Sequence, residues 1–93
     1  MLLYIHGFNS SPFSDKAVMT AKYMTLHHPS VVFHQPQLPN TPKAAMVLLT
    51  AYVEAAIDAK EPLAYIGSSL GGYFASYLAE TYGGKAVLVN PAV

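Results

Sequence analysis

Residues 63–82 constrain the fold more tightly than any other part of this chain. The apolar run Leu63-Ala64-Tyr65-Ile66 reads as a strand covered on both faces. Gly67-Ser68-Ser69-Leu70-Gly71 follows it, and a helix-like run from Tyr73 to Tyr82 comes next. A strand that turns sharply into a helix belongs to an α/β architecture, because the helix packs back onto the sheet its strand has just left. The glycines have a steric reason. The turn forces Ser69 into a strained backbone geometry, so Gly67 and Gly71 must lack side chains that would clash.

The rest of the chain repeats the same alternation. Leu2 to Ile5 is a continuous apolar run and the first expected strand. His6 to Pro12 reads as a loop. Ser11 and Ser14 are both suited to cap a helix that runs to about His27, with Pro12 fitting a first helical position after Ser11. Pro29 stops that helix. Val31 to His34 reads as the second strand, and Gln35 to Asn40 as a proline-rich loop. Thr41-Pro42 is a helix start, a capping hydroxyl followed by a proline whose missing N–H costs nothing there. The helix is expected to reach about Ala59, with Met46, Leu49, Val53, Ala56 and Ile57 as its apolar stripe and Lys43, Thr50, Glu54 and Asp58 on the wetter side. The third helix is expected over Leu70 to Tyr82, ended by Gly83-Gly84. Ala86 to Val89 reads as the fourth strand, broken by Asn90-Pro91.

This pattern predicts an α/β fold of three αβα layers around a four-stranded parallel sheet of order 2-1-3-4. The loops after strands 1 and 3 are then adjacent at a topological switch point, where open α/β sheets bind ligands. The elbow and the His6-Gly7-Phe8 loop should face each other there.

Composition narrows the function. The chain has 93 residues, 53% hydrophobic and only 11% charged, against a typical charged share of about 25%. That excess of apolar surface fits an ordinary core-rich α/β domain or, the favoured reading, the inner part of a larger domain, since small bodies bury a lower fraction of their surface. Five Lys and Arg balance five Asp and Glu, with no basic stripe, which argues against nucleic acid as a partner. Cysteine is absent, so there is neither a disulfide framework nor a thiolate metal site, as fits a cytoplasmic protein. No apolar run reaches the roughly 20 residues that span a bilayer. The opening Met1-Leu2-Leu3-Tyr4-Ile5-His6 is too short for a signal-peptide core and lacks a basic leader.

The chemistry gathers at the two facing loops. In G-x-S-x-G, Ser69 is the candidate nucleophile and Ser68 the variable residue before it. An oxyanion formed at an attacked carbonyl needs preorganised N–H donors. The backbone N–H of Leu70, at a helix N-terminus, is one, and the dipole there favours negative charge. The other is assigned to Phe8, with Gly7 letting that backbone approach. A serine hydroxyl also needs a base to take its proton and a carboxylate to orient that base. The 24 residues after Ser69 contain no Asp and no His, and their one carboxylate, Glu80, lies eleven residues along the helix, about 16 Å away at 1.5 Å per residue. The chain therefore carries half of a catalytic machine.

Three stretches carry a resemblance. Leu-Leu-Tyr-Ile-His-Gly-Phe-Asn-Ser-Ser-Pro (2–12), Gly-Ser-Ser-Leu-Gly-Gly-Tyr-Phe-Ala (67–75) and Val-Leu-Val-Asn-Pro-Ala (87–92) together resemble the small bacterial YqiA-type esterases of the α/β-hydrolase superfamily. The resemblance implies hydrolysis of acyl esters, and of acyl-CoA thioesters, in the cytoplasm and without metal or cofactor. It implies Ser69 as nucleophile and Phe8 and Leu70 as oxyanion donors. It also implies that residues 1–93 are an incomplete α/β-hydrolase domain, with the catalytic Asp and His beyond them.

The other polar residues have plainer readings. His6 is expected to be structural, its ring bonded to nearby backbone, and His27 and His28 to lie at a helix end, where a cation suits the dipole. His34 ends the second strand, on the side where a site would form, but triad order disfavours it as a base. The four histidines lack clustered carboxylates and make an unconvincing metal site. Asp15 and Asp58 precede the elbow and are expected in solvent. Tyr73, Phe74 and Tyr77 are expected in the core rather than against substrate. The alternative to a serine esterase is a non-catalytic binding or assembly protein derived from a hydrolase. Strand 86–89 should then form a bare sheet edge that invites dimers or aggregates.

Overall fold

The structure is a computed structural model and describes residues 1–7 and 15–89. Its elements run β1 (Leu2–Ile5), α1 (Asp15–His27), β2 (Phe33–His34), α2 (Pro42–Asp58), β3 (Ala64–Ser68), α3 (Gly71–Tyr82) and β4 (Lys85–Val89). All strand pairs are parallel, the sheet order is β2-β1-β3-β4, and helices cover both sides. This is the order the alternating pattern predicts.

Register divides the residues between two faces. Leu3, Tyr65 and Ala86 stand side by side across β1, β3 and β4, and Ile5, Gly67 and Leu88 lie level two residues on. That face meets α2 and α3. Ala45, Leu49, Val53 and Ala56 of α2 pack with Phe74, Ala75 and Leu78 of α3 against Leu3, Ile5 and Tyr65. The Tyr65 hydroxyl donates to the Gly83 carbonyl (3.0 Å), tying the sheet to the end of α3. Burial, and then the nearby Tyr82, raise the Tyr65 phenol above its ordinary pKa. On the opposite face Tyr4 of β1 is buried, as is Ala17 of α1.

Local chemistry explains the element ends. Thr41 is the N-cap of α2, its hydroxyl accepting from the Ala44 N–H (3.3 Å), with Pro42 at the first helical position. Gly83, at φ +83°, ends α3, and its N–H bonds back to Ala79 O (2.9 Å). At the end of α2 a lysine takes the left-handed position usually given to glycine: Lys60 has φ +59°, and the Glu61 N–H reaches Ala56 O (2.9 Å) to close the last turn.

Three expectations need correction. The second strand is shorter than Val31 to His34: only Phe33 and His34 pair with β1, while Val31 and Val32 are exposed, although Val32 O still accepts from Leu2 N (2.8 Å). Ile57 is exposed although it falls in the apolar stripe of α2: Ala56 beside it is buried in the core, and one residue further on the side chain points about 100° round the helix, off the buried face. Tyr73 and Tyr77 are also exposed, and of the three aromatics after the elbow only Phe74 is buried. The caps assigned to Ser11 and Ser14, Pro12, and the Asn90-Pro91 break lie outside the described residues.

Candidate active site

The turn after β3 is built by close packing of backbone. Ser69 has φ +57°, in the left-handed region that a residue with a side chain enters at a cost. Its N–H bonds to Val89 O at the end of β4 (3.0 Å), so the turn is anchored to the neighbouring strand. Its carbonyl accepts from the Gly72 N–H (3.1 Å), and Leu70 O accepts from the Tyr73 N–H (3.1 Å), which makes a tight first turn for α3. A Cβ on Gly67 would stand 2.5 Å from Gly72 Cα and overlap the Gly71 carbonyl oxygen. A Cβ on Gly71 would overlap the carbonyl oxygen of Ile5. Both glycines are thus required by their surroundings: one lets β3 meet α3, the other lets α3 meet β1.

The result is a serine presented to solvent at the carboxyl end of the sheet. Ser69 and Leu70 are exposed, whereas Gly67, Gly71 and Gly72 around them are buried. The Leu70 N–H stands at the start of a helix, where the first amides have no intrahelical acceptor and the dipole is positive.

The loop after β1 meets this turn, as the strand order requires. A Cβ on Gly7 would lie 3.2 Å from Ser69 Cβ and 3.7 Å from Leu70 N. Gly7 therefore brings bare backbone against the serine. Phe8, the next residue, lies outside the described residues.

His6 is a strut for this loop. The ring is 2% exposed and bonded at both nitrogens. The Leu38 N–H can only donate, so Nε2, 3.0 Å away, is the acceptor and carries no proton. The proton is then on Nδ1, which donates to the Gly7 carbonyl at 2.6 Å. The neutral Nδ1–H tautomer thus ties the loop after β1 to the loop after β2. The expectation of a ring bonded to nearby backbone holds for Gly7. The bond to Leu38, 32 residues away, has no signal in the sequence.

No described histidine or carboxylate stands ready beside Ser69 as its base or as the partner that orients a base. Both nitrogens of His6 are engaged. His34 packs its ring on Tyr52 of α2 (4.7 Å between centroids), and His27 stacks on Tyr23 of α1 (4.6 Å). Asp15 and Asp58 are exposed at the ends of their helices, and Glu80 is exposed two residues before the end of α3. Among the described residues no three His, Cys, Asp or Glu side chains converge on a place for a metal ion.

Two hollows deserve comparison. One, of about 480 Å³, is lined by Met1, Leu2, Pro62 and Ala64 together with α1 residues, so it lies at the starting ends of β1 and β3. The other, of about 320 Å³, is lined by Pro42, Leu70, Tyr73 and Phe74 and adjoins the serine turn. The larger is at the wrong end of the sheet for chemistry at Ser69, since ligands of open α/β sheets sit beyond the carboxyl ends of the strands.

Fold and site together define an α/β domain with a strained serine at a glycine-bounded strand–helix turn. The chain belongs to the uncharacterised protein family UPF0227, whose match covers residues 1–93. It is similar to a UPF0227 protein of Shewanella woodyi (strain ATCC 51908 / MS32), with 35% identity over 105 aligned residues. That alignment takes in 98% of this chain and 50% of the relative, so the chain spans about half the length of the curated relative it matches. Among the described residues no helix is long and apolar enough to cross a membrane.

Proposed function

We propose that these residues are the nucleophile-bearing part of an α/β-hydrolase domain, and that the whole protein is a cytoplasmic serine esterase acting on acyl esters or acyl-CoA thioesters. The observation that carries this reading is Ser69, held at φ +57° between β3 and α3 with Gly7 beside it. A strained serine on a strand–turn–helix is the geometry that lifts a nucleophile above the sheet.

In the proposed reaction Ser69 Oγ attacks the substrate carbonyl carbon and its proton passes to a base. The bond to the alcohol or thiol breaks, and the proton is delivered to that leaving group. Water then attacks the acyl-enzyme, releasing a carboxylic acid and restoring the serine. The Leu70 N–H, with that of Phe8, stabilises the oxyanion in both halves, each donor being worth about 3 kcal/mol in the transition state. Base and acid come from outside these 93 residues. The steps use side chains, backbone amides and water alone.

The test is hydrolysis of p-nitrophenyl acetate by the whole protein and its Ser69→Ala variant. The variant should lose at least about a thousandfold in kcat. Covalent labelling by a fluorophosphonate should map to Ser69 and vanish with the substitution. A Ser69→Ala protein that keeps the wild-type rate would sink the reading.

A second reading, assembly through β4, is favoured by one observation. Val87 and Leu88 of this edge strand are 58% and 43% exposed. Such an edge pairs readily with another chain. The expected result is concentration-dependent association of the 93-residue chain on sizing, and a monomer at high concentration would exclude this reading.

A further inference from the structure

We propose that His6 is a positioning residue for the oxyanion site: its ring sets the orientation of the peptide that joins Gly7 to Phe8, and with it the second donor of that site. This rests on the serine-esterase reading and adds a residue to it. His6 acts through the backbone it holds, not by touching substrate.

The need for such a hold comes from Gly7. A Cβ there would stand 3.2 Å from Ser69 Cβ, so bare backbone lets the loop come against the serine. Bare backbone is also loose, because glycine enters φ/ψ regions closed to other residues. The peptide after Gly7 then has little local reason to face one way, and a donor that turns is not preorganised.

His6 supplies the restraint. Nδ1 donates to the Gly7 carbonyl at 2.6 Å, at the short end of N–H···O bonds. A trans peptide is planar and sends its N–H opposite to its C=O. Holding that oxygen against a ring only 2% exposed therefore turns the amide at the other end of the same peptide away from the ring. A flip of this peptide would break the bond and strand a buried Nδ1–H without an acceptor, which is costly.

The ring is itself held. Nε2 accepts from the Leu38 N–H at 3.0 Å, and the Gln37 side-chain amide nitrogen lies 3.5 Å from it. Both neighbours are donors, so the proton stays on Nδ1, where the Gly7 carbonyl takes it. Leu38 is buried and belongs to the core cluster. The restraint thus runs from the core to the Leu38 amide, through the ring, to the Gly7 carbonyl. His6, Gly7 and Leu38 are all buried by residues 1–93 themselves, so the arrangement does not depend on what covers the exposed faces.

The two bonds of the ring can be lost one at a time. His6→Asn keeps a donor at the Nδ1 position and gives up the Leu38 N–H. His6→Gln keeps an acceptor near the Nε2 position and gives up the Gly7 carbonyl. Both are made in the whole protein and assayed on p-nitrophenyl acetate, with urea unfolding measured beside the kinetics. His6→Gln should lose at least about tenfold in kcat with KM within about twofold, the mark of a contact made in the transition state. His6→Asn should recover at least about fivefold of that loss, whichever variant is the less stable to urea. A merely structural histidine gives a different pattern: kcat falls alike in both variants, follows their stability, or falls in neither. Each of those results, or a loss confined to His6→Asn, overturns the proposal and leaves the esterase reading standing. Should either variant not fold, the wild type decides. Nitrogen NMR of the His6 ring should find the proton on Nδ1, and a proton on Nε2 overturns the proposal. A wild type that hydrolyses no ester sinks the esterase reading itself, and the role of His6 with it.

Discussion

β1 and β4 are nearly equal in sequence character and opposite in fate. Leu2–Ile5 and Ala86–Val89 are both unbroken apolar runs. β1 lies between β2 and β3, and Leu3 and Ile5 are 0% exposed. β4 has one neighbour, and Val87 and Leu88 stand in solvent. Apolar character marks both as strands of a covered parallel sheet. Place in the sheet decides which is covered here. The excess of apolar residues over charged ones, read from composition as surface needing cover, is located by the structure at β4, on α3 at Tyr73 and Tyr77, and on α1 at Met19, Tyr23 and Leu26.

The comparison breaks most violently at Gly71. This residue buries β1 from the carboxyl side, and any Cβ there would overlap the Ile5 carbonyl oxygen. Neither partner can yield cheaply, because Ile5 is paired to Gly67 and Gly71 opens a helix. Gly71→Ala in the whole protein should cost more than about 4 kcal/mol in urea unfolding, the range kept for severe lesions. A change under 1 kcal/mol would show that β1 is not gripped by α3.

A smaller effect comes from Leu3→Ala. Leu3 sits within the cluster formed with α2 and α3. Truncation should cost about 3 kcal/mol through lost burial and a residual cavity, again read by urea unfolding.

These contrasts mark what was legible. The α2 cap at Thr41-Pro42 and the serine turn follow from local sterics, which are written in adjacent residues, and the sheet order follows from the alternation of strands and helices under the crossover rule. The exposure of Ile57 beside the buried Ala56 was hidden, because the width of a helix's buried face depends on what packs against it. The bond between His6 and Leu38 was hidden too, since it joins loops 32 positions apart through a proline-rich segment with no periodicity. Lys60 at φ +59° contradicts the rule of glycine at helix ends. Tyr73 and Tyr77 show the same weakness from the other side. Helical spacing places them one turn apart on α3 but cannot say whether that face meets protein, and here it does not.

The smallest effect is also the sharpest on β4. Leu88 shares its face with Ile5 and Gly67, and is level with both across the sheet. An apolar-to-charged change at that level would be severe in β1. At 43% exposure, Leu88→Lys in the 93-residue chain should change urea stability by no more than about 0.5 kcal/mol, the usual range for surface sites. Its effect should be on association instead, because a lysine on an edge strand discourages pairing with another chain. Sedimentation at rising concentration should then show more monomer than the parent chain gives. If stability falls by 2 kcal/mol or more, Leu88 is as buried as Leu3 in the state that exists in solution, and β4 has found a partner there. If stability and association are both unchanged, the exposed edge is not what brings chains together. Leu88→Lys therefore asks of β4 the question that β1 answers by its position: whether an apolar strand is held by what lies on either side of it.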